Sequence, residues 1–138
     1  MEKKALNKIF VDTLFVIALV NSRDAYHVQA QQFSLRFSQA SLVTTDAVLL
    51  EVGNALSRNF KAQGAQIIES FLQSEDVELV RLTPELFDEA FALYKSHDDK
   101  AWGLVDCISF VTMRRFGIQM ALTFDQHFVQ AGFQALLR

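Results

Sequence analysis

With one proline and five glycines in 138 residues, the chain lacks the punctuation that linkers and loop-rich scaffolds need. Nothing in it repeats, no tract is low in complexity, and no shift of composition marks a boundary. Residues 1–138 therefore read as a single domain. A lone cysteine, Cys107, excludes an internal disulfide and suits a reducing compartment. Its apolar setting, VDCISFV, marks it as a buried, inert thiol. Basic residues are not in excess: 13 Lys and Arg stand against 16 Asp and Glu, for a net charge of −3. That excludes a broad electrostatic grip on nucleic acid and leaves room for a local one. No apolar run reaches the ~20 residues that cross a bilayer. The nearest approach follows Lys3, Lys4 and Lys8, as in a secretory leader. Asp12 interrupts it, and no small-residue cleavage site follows Val20. The expected location is cytoplasmic, with no membrane partner.

What the chain does have is apolar mass. Hydrophobic residues make up 51% of it, including thirteen Phe, which is enough for a folded core. Lys8–Val11 reads as a buried strand, Thr13–Val20 as a helix and Asp24–Phe37 as a second, polar-faced one. A strand at Leu42–Thr44 leads to Asp46, a good N-cap for a helix over 47–60 whose stripe is Leu49, Val52, Leu56 and Phe60. A helix over 62–73 and a strand at Val77–Leu82 follow. Thr83 and Pro84 then open a helix to about Lys95, as an N-cap with proline in the first position. Leu104–Phe116 is apolar on most sides, hence a buried helix, with Gly117 as its C-cap. Gln119–Thr123 is a strand, and Phe133–Leu137 a short edge strand. Strands alternating with helices imply a three-layer α/β/α fold around a mainly parallel sheet. The strand order is not legible.

Four carboxylates sit oddly in this pattern. Asp12 stands inside KIFVDTLFVIALVN, where an ionised group among Phe10, Val11, Leu14 and Phe15 loses its water at a cost of several kcal/mol unless something compensates. Asp125 follows the strand ending ALTF as Asp12 follows the first strand, and ligand sites of open α/β sheets lie beyond strand carboxyl ends. Asp106 is near the start of the most apolar helix, where the helix dipole supplies only about 0.3–1 kcal/mol. Glu51 lies on the flank of its helix stripe, bordering the core. Three also have an ordinary reading: Asp12 and Asp125 as helix caps or turn residues, Glu51 as a half-exposed helix acid; Asp106 is the hardest to dismiss, because its helix has so few polar neighbours.

If the four converge, their mutual repulsion calls for a cation. Oxygen ligands alone select Mg²⁺ or Mn²⁺ over Zn²⁺, and His27, His97 and His127 show no paired zinc spacing. A Mg²⁺ with open positions suits phosphodiester hydrolysis.

FVDT, TTDAVLLEVGNAL, DKAWGLVDCISFVTMRRFGI and ALTFDQHFVQAGF together resemble PIN-domain proteins, in particular VapC-type toxins, over nearly the whole chain. The resemblance implies a Mg²⁺- or Mn²⁺-dependent endoribonuclease of a toxin–antitoxin pair. Its metal site and catalytic residues would be Asp12, Glu51, Asp106 and Asp125, with Thr13 orienting a carboxylate or a water. It also implies a homodimer and a cognate antitoxin whose tail blocks the site. Phe33, Phe37 and Phe71 are core candidates that would also suit such an interface. Asp99 could lie outside the metal site, or simply in solvent. Arg58, Lys61, Lys100, Arg114 and Arg115 are candidates to meet phosphate charge, on a structured RNA substrate such as a tRNA loop. Two rivals remain. A phosphatase of the haloacid-dehalogenase kind would need an acid where Leu14 stands; a silent PIN-like module would bind RNA or protein without cutting.

Overall fold

The computed structural model describes residues 8–138, so Lys3 and Lys4 of the leader-like segment lie outside the described residues. Five parallel strands, β1 (Lys8–Val11), β2 (Ser41–Thr45), β3 (Val77–Val80), β4 (Met120–Leu122) and β5 (Gln134–Ala135), form one sheet in the order β3-β2-β1-β4-β5. Helices flank it: α1 (Thr13–Val20), α2 (His27–Arg36), α3 (Asp46–Leu56), α4 (Lys61–Gln73), α5 (Pro84–Ser96), α6 (Leu104–Phe116) and α7 (Gln126–Gln130). The α/β class expected from the alternation is the one observed.

β1 is the centre of the sheet. The chain builds outward from it through β2 to β3, then returns to its other side as β4. Register fixes the join: Phe10 lies beside both Val43 of β2 and Ala121 of β4. These strands are buried on both faces, which is why Ile9, Phe10 and Val11 form an unbroken apolar run rather than an alternating one. α6 is buried over most of its surface, and its Phe110 meets Phe128 of α7 edge-on at 5.0 Å and Trp102 at 5.1 Å. The Trp102 indole N–H donates to Gln130 Oε1 at 3.0 Å, tying the approach to α6 onto α7. Cys107 is fully buried, and its thiol is pushed up to about 11 by desolvation, with Asp106 adding to the effect.

Local chemistry moves several boundaries from those the sequence suggested. The cap of α3 is Thr45, whose hydroxyl accepts from Val48 N–H, while the Asp46 carboxylate accepts instead from the distant Leu82 N–H. α3 also stops at Leu56 rather than residue 60, and Phe60 occupies the N-cap position of α4. Asp24 stays outside α2; its carboxylate accepts from Tyr26 N–H in the turn before the helix. Thr83, Pro84 and Gly117 do what their residue types foretold, Gly117 closing α6 at φ +66°. Phe71 is buried and Phe33 and Phe37 pack partly buried against the core. The exposed aromatics lie elsewhere: Tyr26 before α2, and the row Phe87, Phe91 and Tyr94 of α5.

Candidate active site

The order in which strands are added to the sheet reverses between the parallel neighbours β1 and β4, so the loops leaving their carboxyl ends diverge and open a crevice at this edge. Asp12 leaves β1 there and Asp125 follows β4. Asp12 N–H donates to Leu122 O, holding the two strand ends together. An open cleft of about 570 Å³ results, lined by Asp12, Thr13, Glu51, Asp106 and Asp125 with Leu14, Ile17, Asn54 and Ala55. All four acids singled out in the sequence border this one cleft. They do not contribute equally.

Asp12 occupies the N-cap position of α1 but makes no capping bond, so the ordinary cap reading does not account for it. Its carboxylate turns to Thr123, whose buried hydroxyl donates to Asp12 Oδ2 at 2.6 Å. The same hydroxyl accepts from Asp125 N–H at 3.0 Å. One side chain thus holds two of the acids in register. Burial pushes the Asp12 carboxyl up to about 7, and the nearby charges of Asp106 and Asp125 push in the same direction. Asp106 is also raised, first by burial, although its Oδ2 accepts from Gly103 N–H at the start of α6. Asp125 is both cap and cluster member: its Oδ1 accepts from His127 N–H and opens α7. Glu51 is exposed on α3, and Thr13 Oγ1 donates to its Oε1 at 2.8 Å.

His127 had no assigned part in the sequence pattern. Its Nδ1 lies 3.3 Å from Asp106 Oδ2 and 3.4 Å from Asp125 Oδ1. One donor atom each from Asp106, Asp125 and His127 falls within 4.8 Å of the others, a spacing that a single divalent ion can bridge. The carboxyls also fit such an ion electrostatically, since a positive charge would relieve what raises Asp12 and Asp106. The available signal for His127 was TFDQHF, a histidine two residues past a capping acid. Thr123 lay in the same motif, one residue before Phe124.

The expected phosphate contacts are displaced. None of Arg58, Lys61, Lys100, Arg114 and Arg115 lines the cleft. Arg115 pairs with Glu89 at 2.7 Å, and Arg114 reaches Ala131 O and lies over Phe133. Lys100 pairs with Asp99, whose fully exposed carboxylate is a surface group and not part of the cleft.

The PIN domain model matches residues 9–134. The chain belongs to the PIN-domain family. This PIN-domain protein is 36% identical over 126 residues to the 23S rRNA-specific endonuclease VapC20 of Mycobacterium tuberculosis, in strains CDC 1551 and H37Rv alike. The match covers 91% of this chain and 95% of the relative. A crystal structure of M. tuberculosis VapC20, described as a sarcin–ricin loop cleaving toxin, superposes with a TM-score of 0.81 at 35% identity over the same shares.

Proposed function

We propose that this PIN-domain protein, an endoribonuclease by its homology to VapC20, hydrolyses RNA in the cleft between the carboxyl ends of β1 and β4. The observation that carries the proposal is the buried Asp12 carboxyl, which lines one cleft with Asp106 and Asp125 and feels their charges where no cationic side chain lines the cleft. Asp12, Asp106 and Asp125 would hold Mg²⁺ or Mn²⁺, with Glu51 on the same cleft completing the acidic set. Bound there, the ion supplies an activated water and neutralises charge developing on phosphorus.

The chain's own groups do the rest. Thr123 fixes the Asp12 carboxylate at the cleft by donating to its Oδ2. Thr13 orients Glu51, whose second oxygen takes the proton of the attacking water. Attack in line forms the new P–O bond as the bond to the 3′ oxygen breaks. The 3′ oxygen leaves and takes a proton from solvent water in the open cleft, giving 3′-hydroxyl and 5′-phosphate ends, while Glu51 later returns its proton to solvent.

The relatives' named substrate is 23S rRNA, so the tRNA loop suggested by the sequence gives way to a structured rRNA loop as the proposed target. A small footprint suits the net charge of −3, because affinity would not depend on many phosphate contacts. The reading extends to a toxin in the cytoplasm with a cognate antitoxin and a homodimeric state, supported by membership of the family and its likeness to a toxin endonuclease.

The test is cleavage of 23S rRNA in ribosomes and of total tRNA, with Mg²⁺ or Mn²⁺, with EDTA, and by Asp12→Asn and Asp106→Asn proteins. Cutting confined to the metal-loaded wild type supports the proposal. Cutting that persists in EDTA and in both variants rejects it, and RNA binding without any cutting would favour the silent module.

A further inference from the structure

We infer that His127 is a nitrogen donor to the cation of this centre, which therefore selects a first-row transition ion such as Mn²⁺ over Mg²⁺. The inference rests on the reading of the cleft as a metal centre and departs from the oxygen-only donor set that the four acids alone would give.

His127 Nδ1 faces two carboxylates at nearly equal separations, 3.3 Å to Asp106 and 3.4 Å to Asp125. A ring N–H bound to one carboxylate would favour a single contact of about 2.7–2.9 Å over two long ones. Ligands bonded to one ion at about 2.1 Å and at right angles lie roughly 3 Å apart, which is close to the observed spacing. Among the described residues, Asp106, Asp125 and His127 form the only trio of His, Cys, Asp or Glu able to offer atoms so close together.

The ring is also held in place. Asp125 caps the His127 N–H at 2.9 Å, and the next residue, Phe128, is fully buried against Phe110 and Phe10. Asp106 arrives independently, fixed by the Gly103 N–H at the start of α6. Two elements, each with its own anchor, thus bring a nitrogen and two oxygens to one point. Imidazole nitrogen is a good ligand for first-row transition ions, whereas Mg²⁺ prefers oxygen and keeps its waters.

The experiment loads chelator-treated protein with Mn²⁺ and records electron spin-echo envelope modulation, alongside calorimetric titrations of Mn²⁺ and Mg²⁺. Wild type, His127→Ala and His127→Gln are compared, each checked for folding by circular dichroism. Wild type is expected to show ¹⁴N coupling from a directly bonded imidazole, which both variants lose. Their preference for Mn²⁺ over Mg²⁺ is expected to fall about 10-fold or more, the usual scale for a lost metal-site interaction. Mn²⁺ bound without ¹⁴N coupling, or an unchanged preference in the variants, overturns the assignment of His127 and leaves the carboxylate centre standing. Failure of wild type to bind either ion at millimolar concentration overturns both.

Discussion

Asp12 holds its proton more tightly in the folded chain than out of it, and this has a measurable sign. An unfolded aspartate ionises near pH 3.9, whereas the buried Asp12 carboxyl is pushed up to about 7. Between those values the native state carries a proton that the unfolded chain has lost, so metal-free stability falls as pH rises through the window. The shift of about three pH units corresponds to about 4 kcal/mol, lost by pH 8. Thermal or urea unfolding in EDTA at pH 5 and pH 8 should show about 3 kcal/mol of that loss, the part falling between pH 5 and pH 7, and Asp12→Asn should flatten it. An equally steep decline in the variant would transfer the effect to other groups. Thr123 offers a second check at this scale. Because its hydroxyl serves both Asp12 and Asp125, Thr123→Val should keep the fold but lower activity about 10- to 100-fold. Near-wild-type turnover would show that the acids hold their positions without it.

Elements were legible wherever a period had room to repeat. α5 and α6, with their Thr83–Pro84 opening and Gly117 close, follow directly from apolar spacing and cap chemistry. Gly117→Ala should therefore cost about 1 kcal/mol, since alanine meets the left-handed region with a steric penalty; a Tm unchanged within a degree would contradict this. Boundaries failed where a tertiary contact outbid a local one. Asp46 looks like a cap, but its carboxylate is drawn to Leu82 across the sheet edge, leaving the work to Thr45. The stripe through Phe60 continues the pattern of α3, yet the polar run Ser57–Arg58–Asn59 releases the helix, and Phe60 joins the next one. α7 has five residues, too few for periodicity to declare. With it went His127, whose partner Asp106 is on another helix and becomes a neighbour only in the fold.

At the scale of the molecule, the strand order joins the separate signals. Nothing in the sequence says that β4 lies beside β1, so convergence of Asp12 with Asp125 could be suspected but not read. Once it is known, a bulk consequence follows. A cation that binds only the folded chain stabilises it by mass action, and more so where the carboxylates are ionised. Saturating Mn²⁺ should raise Tm more at pH 8 than at pH 5, and Asp106→Asn should shrink the gain. Equal shifts at both pH values would place the ion elsewhere.

The same strand order governs when the centre can exist. During synthesis Asp12, Glu51 and Asp106 emerge before the strand that must settle against the first one and bring the last acid with it. A nascent chain still lacking that strand has no complete acidic cluster, so the cleft comes into being only once the last stretch of the sequence has folded back beside the first strand.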